Sequence, residues 1–365
     1  MAKVSVILPT FNESKNIGIM LDRLDAIRIA AGLDLEVIVV DDNSPDETWK
    51  RAQELASTQF PYVRVIRRVH AKGLSSAVLD GFAASQADYL FVMDADLQHD
   101  EKILPKMIEK LASTADVVLG SRKVEGGGMG EWSKSRRFVS WGATKLAHIV
   151  LRVPVTDPMS GFFGIRREIF EKHGQEINPK GFKILLEFVF RARNCRVQEV
   201  GYVFQNRIHG ESKLSTGVML DYIEALVDMR LAPAITSTFI MYCCVGAGGI
   251  FVNLCASFLA LKVLGTSSST ALMVGIATSI IFNFAANNSI TFRRCRISWG
   301  RQWIVKFVQF ASICTAGAFI NFSISERLMA LSIGNFYWAS GLGMLVALFW
   351  NYFINVGVTW NRQTA

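Results

Sequence analysis

Acidic residues almost vanish from the last third of this chain. From Ala232 onward there is one, Glu326, against eight basic residues: Lys262, Arg293, Arg294, Arg296, Arg301, Lys306, Arg327 and Arg362. The preceding part is nearly charge-balanced, so the net charge of +8 belongs to the segment that is also the most apolar. A nucleic-acid binder would carry its basic residues as a stripe on a polar domain, so this pattern argues against nucleic acid as a partner. Cysteine is sparse. The six residues Cys195, Cys243, Cys244, Cys255, Cys295 and Cys314 form no C-x-x-C pair with metal-ligand spacing and no disulfide framework. Four lie in or near apolar stretches and read as small buried hydrophobes. No Gly-x-Gly-x-x-Gly follows a strand pattern, and Gly126–Gly130 lies far from a strand–helix turn. That stretch reads as a mobile loop, and dinucleotide binding is disfavoured. The first apolar run, Val4–Leu8, is too short for a signal peptide and reads as a first strand, which predicts a cytoplasmic catalytic part.

What is present divides into two parts, residues 1–231 and 232–365. In the first, short β-branched runs alternate with helical patterns: strands at 4–8, 35–40, 63–67, 89–93 and 116–119, helices at 16–29, 45–56, 74–85 and 102–111. Such alternation predicts an α/β domain with a Rossmann-like, mostly parallel sheet, whose ligands bind beyond the carboxyl ends of the strands. The acids sit at those ends: Glu13 after the first strand, Asp41, Asp42 and Asp46 after the second, Asp94 and Asp96 after the fourth. Asn12, Ser44 and Asp46 suit helix N-capping, but capping does not require three acidic clusters on one edge. In Asp94-Ala95-Asp96-Leu97-Gln98 the polar groups alternate. If the segment is extended, all three face one side and can meet one hard cation, Mg²⁺ or Mn²⁺, with diphosphate oxygens completing its shell. The candidate ligands are thus Asp94, Asp96 and Gln98. Arg136 and Arg137 open an amphipathic segment running to Leu151, which suits a membrane-surface helix, one of the two arginines meeting a surface phosphate. A second such helix is expected at about 215–231, and the first at about 130–151. Asp157, before Pro158 and Gly161, either orients those arginines, assists the nucleophile or makes a plain Asx turn.

The second part contains four apolar runs of spanning length, about 237–261, 271–292, 307–325 and 337–358. The basic loop between the second and third places that loop, the catalytic part and both termini in the cytoplasm. This part also repeats itself without a gap at a shift of 68 residues. Gly249 falls on Gly317, Asn253 on Asn321, Ser257 on Ser325, Gly275 on Gly343, Asn283 on Asn351, Asn287 on Asn355, Thr291 on Thr359 and Phe292 on Trp360. A duplicated two-helix hairpin is the reading. The asparagines serve helix packing or, alternatively, line a polar groove for a lipid phosphate or sugar.

Pro9-Thr-Phe11-Asn-Glu13, Val40-Asp-Asp42-Asn-Ser-Pro-Asp, Met93-Asp-Ala-Asp-Leu-Gln-His99, Lys72-Gly-Leu, Gly120-Ser-Arg122, Asp157-Pro-Met-Ser-Gly-Phe-Phe163 and Arg207-Ile-His-Gly-Glu-Ser-Lys213 together resemble the inverting family-2 glycosyltransferases of GT-A fold. Within them, the resemblance is to the dolichyl-phosphate mannose synthase and polyprenyl-phosphate glycosyltransferase branch. It spans roughly residues 3–230, and the Gln-x-x-Arg-Trp signature of processive polymerases is absent. More loosely, the last third resembles the GtrA-like membrane domain, an all-α four-helix transmembrane unit. The resemblance implies that Pro9, Phe11, Glu13, Val40 and Asp42 hold the nucleoside. Asp94, Ala95, Asp96 and Gln98 lie at the metal and diphosphate, with Asp96 and Gln98 the direct ligands expected and Asp94 serving the sugar-nucleotide. Arg122, Lys183, Arg207 and Lys213 contact donor and acceptor phosphates. The implied reaction is metal-dependent transfer of a hexose to dolichyl or polyprenyl phosphate, from GDP-mannose or, as runner-up, UDP-glucose. The competing classes are a translocator of the lipid-linked sugar and a membrane-anchored nucleotide-sugar sensor, which the intact acidic motif disfavours.

Overall fold

The computed structural model describes residues 2–179, 183–206, 216–232, 235–331 and 336–361. The chain divides into two compact units, Met1–Arg230 and Leu231–Ala365.

The first unit begins β1 Val4–Thr10, α1 Ile17–Ala30, β2 Leu35–Asp41, α2 Thr48–Thr58, β3 Val63–Arg67, α3 Leu74–Ala84 and β4 Tyr89–Val92. It continues with α4 Leu104–Ser113, β5 Val117–Ser121, α5 Lys134–Leu151, β6 Phe163–Arg166, α6 Arg167–His173, α7 Ile184–Arg191, β7 Val197–Gly201 and α8 Thr216–Leu231. The sheet order is β3-β2-β1-β4-β6-β5-β7, parallel except for β6, which runs antiparallel to both neighbours. β1 and β2 are buried along their whole length, as strands covered by helices on both faces must be. One apolar layer includes Ile7, Val40, Val78, Phe82, Phe163 and Phe188; the other includes Val6, Leu8, Leu21, Val37, Phe91 and Met107. From β1 the chain winds one way through β2 and β3, then returns to place β4 on the other side. The loops after β1 and β4 therefore diverge at the switch point, where a crevice forms beyond the strand ends. β6 and β7 were not anticipated. β6 is only four residues long, and the β7 sequence Val-Gln-Glu-Val-Gly is half polar.

The second unit contains α9 Ser237–Phe258, α10 Ser268–Ala286, α11 Arg301–Ala330 and α12 Phe336–Ile354. With their short π-helical extensions, α9, α10 and α12 reach Val263, Thr291 and Thr359, and all four helices are long and apolar enough to cross a membrane. Each half is an antiparallel hairpin, and the predicted repeat governs its packing. A Cβ at Gly249 would strike Asn283 on the facing helix, and one at Gly317 would strike Asn351. A Cβ at Gly275 would strike Ser257 and Asn253, and one at Gly343 would strike Asn321 and Ser325. Glycine lets the two backbones approach, and the asparagines fill the space, as in small-residue packing of membrane helices. Between hairpins the aromatic contacts follow a pseudo-twofold. Phe284 lies 5.5 Å from Phe307 and 5.5 Å from Phe310; the counterpart Tyr352 lies 4.9 Å from Phe239 and 5.4 Å from Tyr242. Phe292 and Trp360, each other's counterparts, stack at 4.2 Å and so sit on the axis. Both π-helical turns, Asn287–Thr291 and Asn355–Thr359, occupy equivalent places.

Candidate active site

The loops beyond β1 and β2 brace each other. Ser44 Oγ accepts the Asn12 N–H at 3.0 Å, Asp46 Oδ2 accepts the Ser14 N–H at 3.1 Å, and Thr48 Oγ1 accepts the Glu13 N–H at 2.9 Å. Ser44 and Asn12 thus join the two loops instead of capping helices, whereas Asp46 also accepts the Thr48 N–H at the start of α2. Glu13 Oε2 takes the Asn16 amide at 2.6 Å. Phe11 is exposed at the crevice edge, with the Lys72 ammonium 5.8 Å from its ring centre. Pro9 and Val40 are register partners inside the sheet. Val40 is fully buried among Ile7 and the α3 helix, so its side chain belongs to the core, and any nucleoside contact there runs through its backbone.

Asp42 accepts one hydrogen bond on each oxygen, leaving a lone pair on each. Oδ1 accepts from Arg68 Nη1 at 2.7 Å and Oδ2 from the Gly73 N–H at 2.7 Å. Burial raises the Asp42 carboxyl above its usual range, against the lowering effects of Gly73 and Arg68. Arg68, which sequence reasoning missed, also reaches Ser76 Oγ at 2.6 Å and Asp80 at 2.9 Å. It clamps the Lys72-Gly73 turn beneath the strand ends. Its only sequence signal was an arginine one residue past a strand.

The Asp94–Gln98 segment is not extended. β4 ends at Val92, and Leu97 takes a left-handed φ of 62° while its side chain is buried. The alternation premise therefore fails, and a tight turn arranges these residues instead. Asp96 Oδ1 accepts the Gln98 N–H at 3.2 Å. Asp96 and Gln98 are buried, whereas the Asp94 carboxylate is 39% exposed and faces the crevice. Gln98 Nε2 donates to the Gln205 carbonyl at 3.0 Å, so a cation would meet the amide through Oε1. Ala95 is buried in the turn. Among the described residues no three His, Cys, Asp or Glu side chains gather as a metal site. The donor set at hand is all oxygen and short of protein ligands, which fits a hard cation completed by diphosphate oxygens.

The arginine that Asp157 holds is Arg122. Asp157 is fully buried and grips Arg122 through Nε at 2.7 Å, Nη2 at 2.7 Å and the backbone N–H at 3.1 Å. Burial alone would raise its carboxyl, but Arg122 outweighs burial and holds it below the usual carboxylate range. The Arg122 guanidinium lies 5.2 Å from the Trp132 ring centre, and Arg136 lies 4.1 Å from the same ring. One indole therefore joins the two arginines, and α5 delivers Arg136 to Arg122. Arg137 instead donates to the Gly130 carbonyl at 3.0 Å and is exposed. Burial lowers the Lys183 ammonium, and its electrostatic neighbours are Arg122, Asp94 and Asp157. A small cavity of about 90 Å³ is lined by Asp94, Lys183, Pro158, Ser160 and Gly161. Arg207 and Lys213 lie outside the described residues. The Gly126–Gly130 stretch, expected to be mobile, is paired: Gly128 N–H donates to Tyr202 O at 3.1 Å, and Phe204 N–H donates to Gly128 O at 2.9 Å.

The site thus gathers, at one sheet edge, an acidic turn, a buried Arg–Asp pair, a second arginine and a desolvated lysine. Residues 5–174 match the model of glycosyl transferase family 2, and residues 241–360 match the GtrA/DPMS transmembrane domain. A dolichol-phosphate mannosyltransferase of Pyrococcus furiosus is 38% identical over 98% of this chain and 99% of its own length. The enzymes of that name from Saccharomyces cerevisiae and Mycosarcoma maydis are 39% and 37% identical, each over 62% of this chain and over 86% and 78% of their own. This chain is an integral membrane glycosyltransferase that belongs to the dolichol-phosphate mannosyltransferase family.

Proposed function

We propose that the protein transfers mannose from GDP-mannose to dolichyl or polyprenyl phosphate, with inversion at the anomeric carbon. The observation that carries this reading is the set of fixed cations beside an acidic turn: Arg122 locked by Asp157, Arg136 on the shared indole, and Lys183 near Asp94. A lipid phosphate is already an anion, so its oxygen needs no general base. A bond forms from that oxygen to the sugar C1 as the C1–O bond to the leaving diphosphate breaks, and no proton moves. The obstacle is bringing one anion up to another, and preorganised cations offset that repulsion. Arg122 and Lys183 serve the donor phosphates and Arg136, with Arg137, the acceptor; Arg207 and Lys213 are the further cations assigned to phosphate contact. Phe11 and Asp42 hold the nucleoside, with Glu13 and the backbone of Pro9 and Val40 beneath it.

Asp96 and Gln98 would hold a Mg²⁺ or Mn²⁺ ion, whose contribution when bound is to neutralise charge on the leaving diphosphate. Asp94, the exposed carboxylate, serves the sugar-nucleotide. α5 rides on the membrane surface, consistent with its exposed Phe138, Trp141 and Ile149, and α8 does so with Met219 and Ile223. The basic run between α10 and α11 faces the cytoplasm with the catalytic unit and both termini, under the positive-inside rule. Asparagines filling glycine gaps support an anchoring role for the membrane unit.

The test is purified protein in detergent with a short polyprenyl phosphate and, in parallel, GDP-mannose and UDP-glucose. Mannosyl transfer that is lost in Asp96→Ala is expected. Transfer from UDP-glucose alone would overturn the donor, and full activity of the variant would overturn the metal assignment.

A further inference from the structure

His99 follows the acidic turn directly, yet it is one of the most buried polar residues in the catalytic unit. Phe162, Tyr202 and Phe204 surround its ring at centroid distances of 5.6, 5.7 and 5.4 Å. Its Nδ1 lies 2.7 Å from Tyr202 Oη, and its Nε2 lies 3.4 Å from Asp94 Oδ2. In the neutral ring only one nitrogen carries a proton. A lone pair on Nε2 would face a carboxylate lone pair, which is repulsive. The tautomer with N–H at Nε2 instead donates to Asp94, and Tyr202 Oη–H donates to Nδ1. A Cβ at Gly161 would come within 2.6 Å of Asp94 Oδ2 and 3.3 Å of His99 Nε2. The chain thus keeps glycine where the carboxylate and the imidazole meet. Asp94 is the exposed member of the turn, and a short carboxylate in a solvated crevice has several rotamers open to it.

We infer that His99 is a positioning residue: the Tyr202–His99 pair holds Asp94 in the orientation that receives the sugar-nucleotide. The proposal rests on the reading that Asp94 serves the donor. The contact is 3.4 Å, at the long end for a hydrogen bond. Loss of a partner that orients a binding group typically costs about 10–100-fold.

The two ring nitrogens can be separated by substitution. His99→Gln places an amide N–H near the Nε2 position and keeps the donor to Asp94. His99→Asn places its amide near Nδ1 and keeps only the Tyr202 side. Full-length protein is assayed for kcat and KM with GDP-mannose, for GDP affinity by calorimetry with Mn²⁺ present, and for Tm. The expected result is that His99→Asn loses about 10–100-fold in kcat/KM and weakens the calorimetric binding, while His99→Gln recovers most of both at equal Tm. In an Asp94→Asn background, His99→Asn should cost little more, because its target is already gone. Equal loss in the two histidine variants at equal Tm, or an effect fully additive with Asp94→Asn, would overturn the positioning role. Wild-type kinetics and binding in Asp94→Asn would instead overturn the donor reading beneath it. Should His99→Asn not fold, Tyr202→Phe removes the tautomer-fixing hydroxyl while keeping the ring. It is then expected to show a smaller loss, again non-additive with Asp94→Asn, and additivity would overturn the proposal.

Discussion

Breaking the Arg122–Asp157 pair has a magnitude that follows from its geometry. Both side chains are almost wholly buried, at 6% and 0% exposure, and two bonds of 2.7 Å join them. Asp157→Ala strands a guanidinium in a desolvated pocket, and Arg122→Met strands a carboxylate. Removing one partner of such a pair costs about 3–5 kcal/mol, whereas removing both leaves no uncompensated charge and costs far less. For a unit of this size about 1 kcal/mol corresponds to roughly 2–4 °C, so each single variant should lose on the order of 10 °C in Tm. The double variant should recover much of that loss, with a coupling of about 2–3 kcal/mol. The assay is thermal unfolding in detergent followed by circular dichroism for the four proteins of the cycle. The pH dependence supplies a second check. Arg122 holds the Asp157 carboxyl below the ordinary carboxylate range. Its stabilisation is therefore complete above about pH 4 and is lost as pH falls through the depressed folded value. Single variants within 2 °C of wild type, or losses that simply add in the double variant, would refute the buried-pair reasoning.

The other outcomes expected are narrower. Burial lowers the Lys183 ammonium, so its charge is complete at low pH and lost as pH rises through a value below that of an ordinary lysine. KM for the sugar-nucleotide should accordingly rise on the alkaline side before pH ~10, and Lys183→Arg should remove that limb, as kinetics between pH 7 and 10 would reveal. Gly275→Leu drives a side chain into Ser257 and Asn253 on the facing helix. It should cost about 1–3 kcal/mol in a detergent unfolding titration, with Gly343→Leu matching it by the repeat. Phe310→Tyr should stabilise the membrane unit by about 0.6 kcal/mol, read as a higher Tm, and Tyr242→Phe should lower it by a similar amount.

Much of the catalytic sheet was legible because parallel strands buried on both faces carry near-continuous apolar runs, as Val6–Pro9 and Val37–Val40 are. The acids at their ends could be listed from the chain alone. Their partners could not, because partnership depends on side chains far apart in sequence. Asp157 and Arg122 are 35 residues apart, and Asp42 and Arg68 are 26 apart. Nor could periodicity foresee the left-handed turn at Leu97, a non-glycine residue whose local preference opposes that conformation and which tertiary contacts must enforce. His99 was in plain view within the motif. A lone histidine carries little information until Tyr202, 103 residues away, is seen to be its neighbour.

The membrane unit reverses that difficulty, because duplication writes a contact into the sequence twice. Gly249 with Asn283 and Gly317 with Asn351 are one contact in two copies, and so are Gly275 with Ser257 and Gly343 with Ser325. What duplication could not reveal is where the copies have since diverged. In the second copy Asn355 Oδ1 accepts the Thr359 hydroxyl at 2.7 Å, and its amide approaches Tyr242 Oη at 3.5 Å. In the first copy Asn287 Oδ1 and Thr291 Oγ1 are buried without a hydrogen-bond partner among the described residues. The copies differ at one facing position as well: Tyr242, whose hydroxyl meets the Asn355 amide, corresponds to Phe310, which offers Asn287 a ring with no hydroxyl. Two polar nodes at equivalent places in one pseudo-twofold unit are therefore unequal. That inequality is why Phe310→Tyr is expected to stabilise: it would supply to the first hairpin the hydroxyl that the second already has.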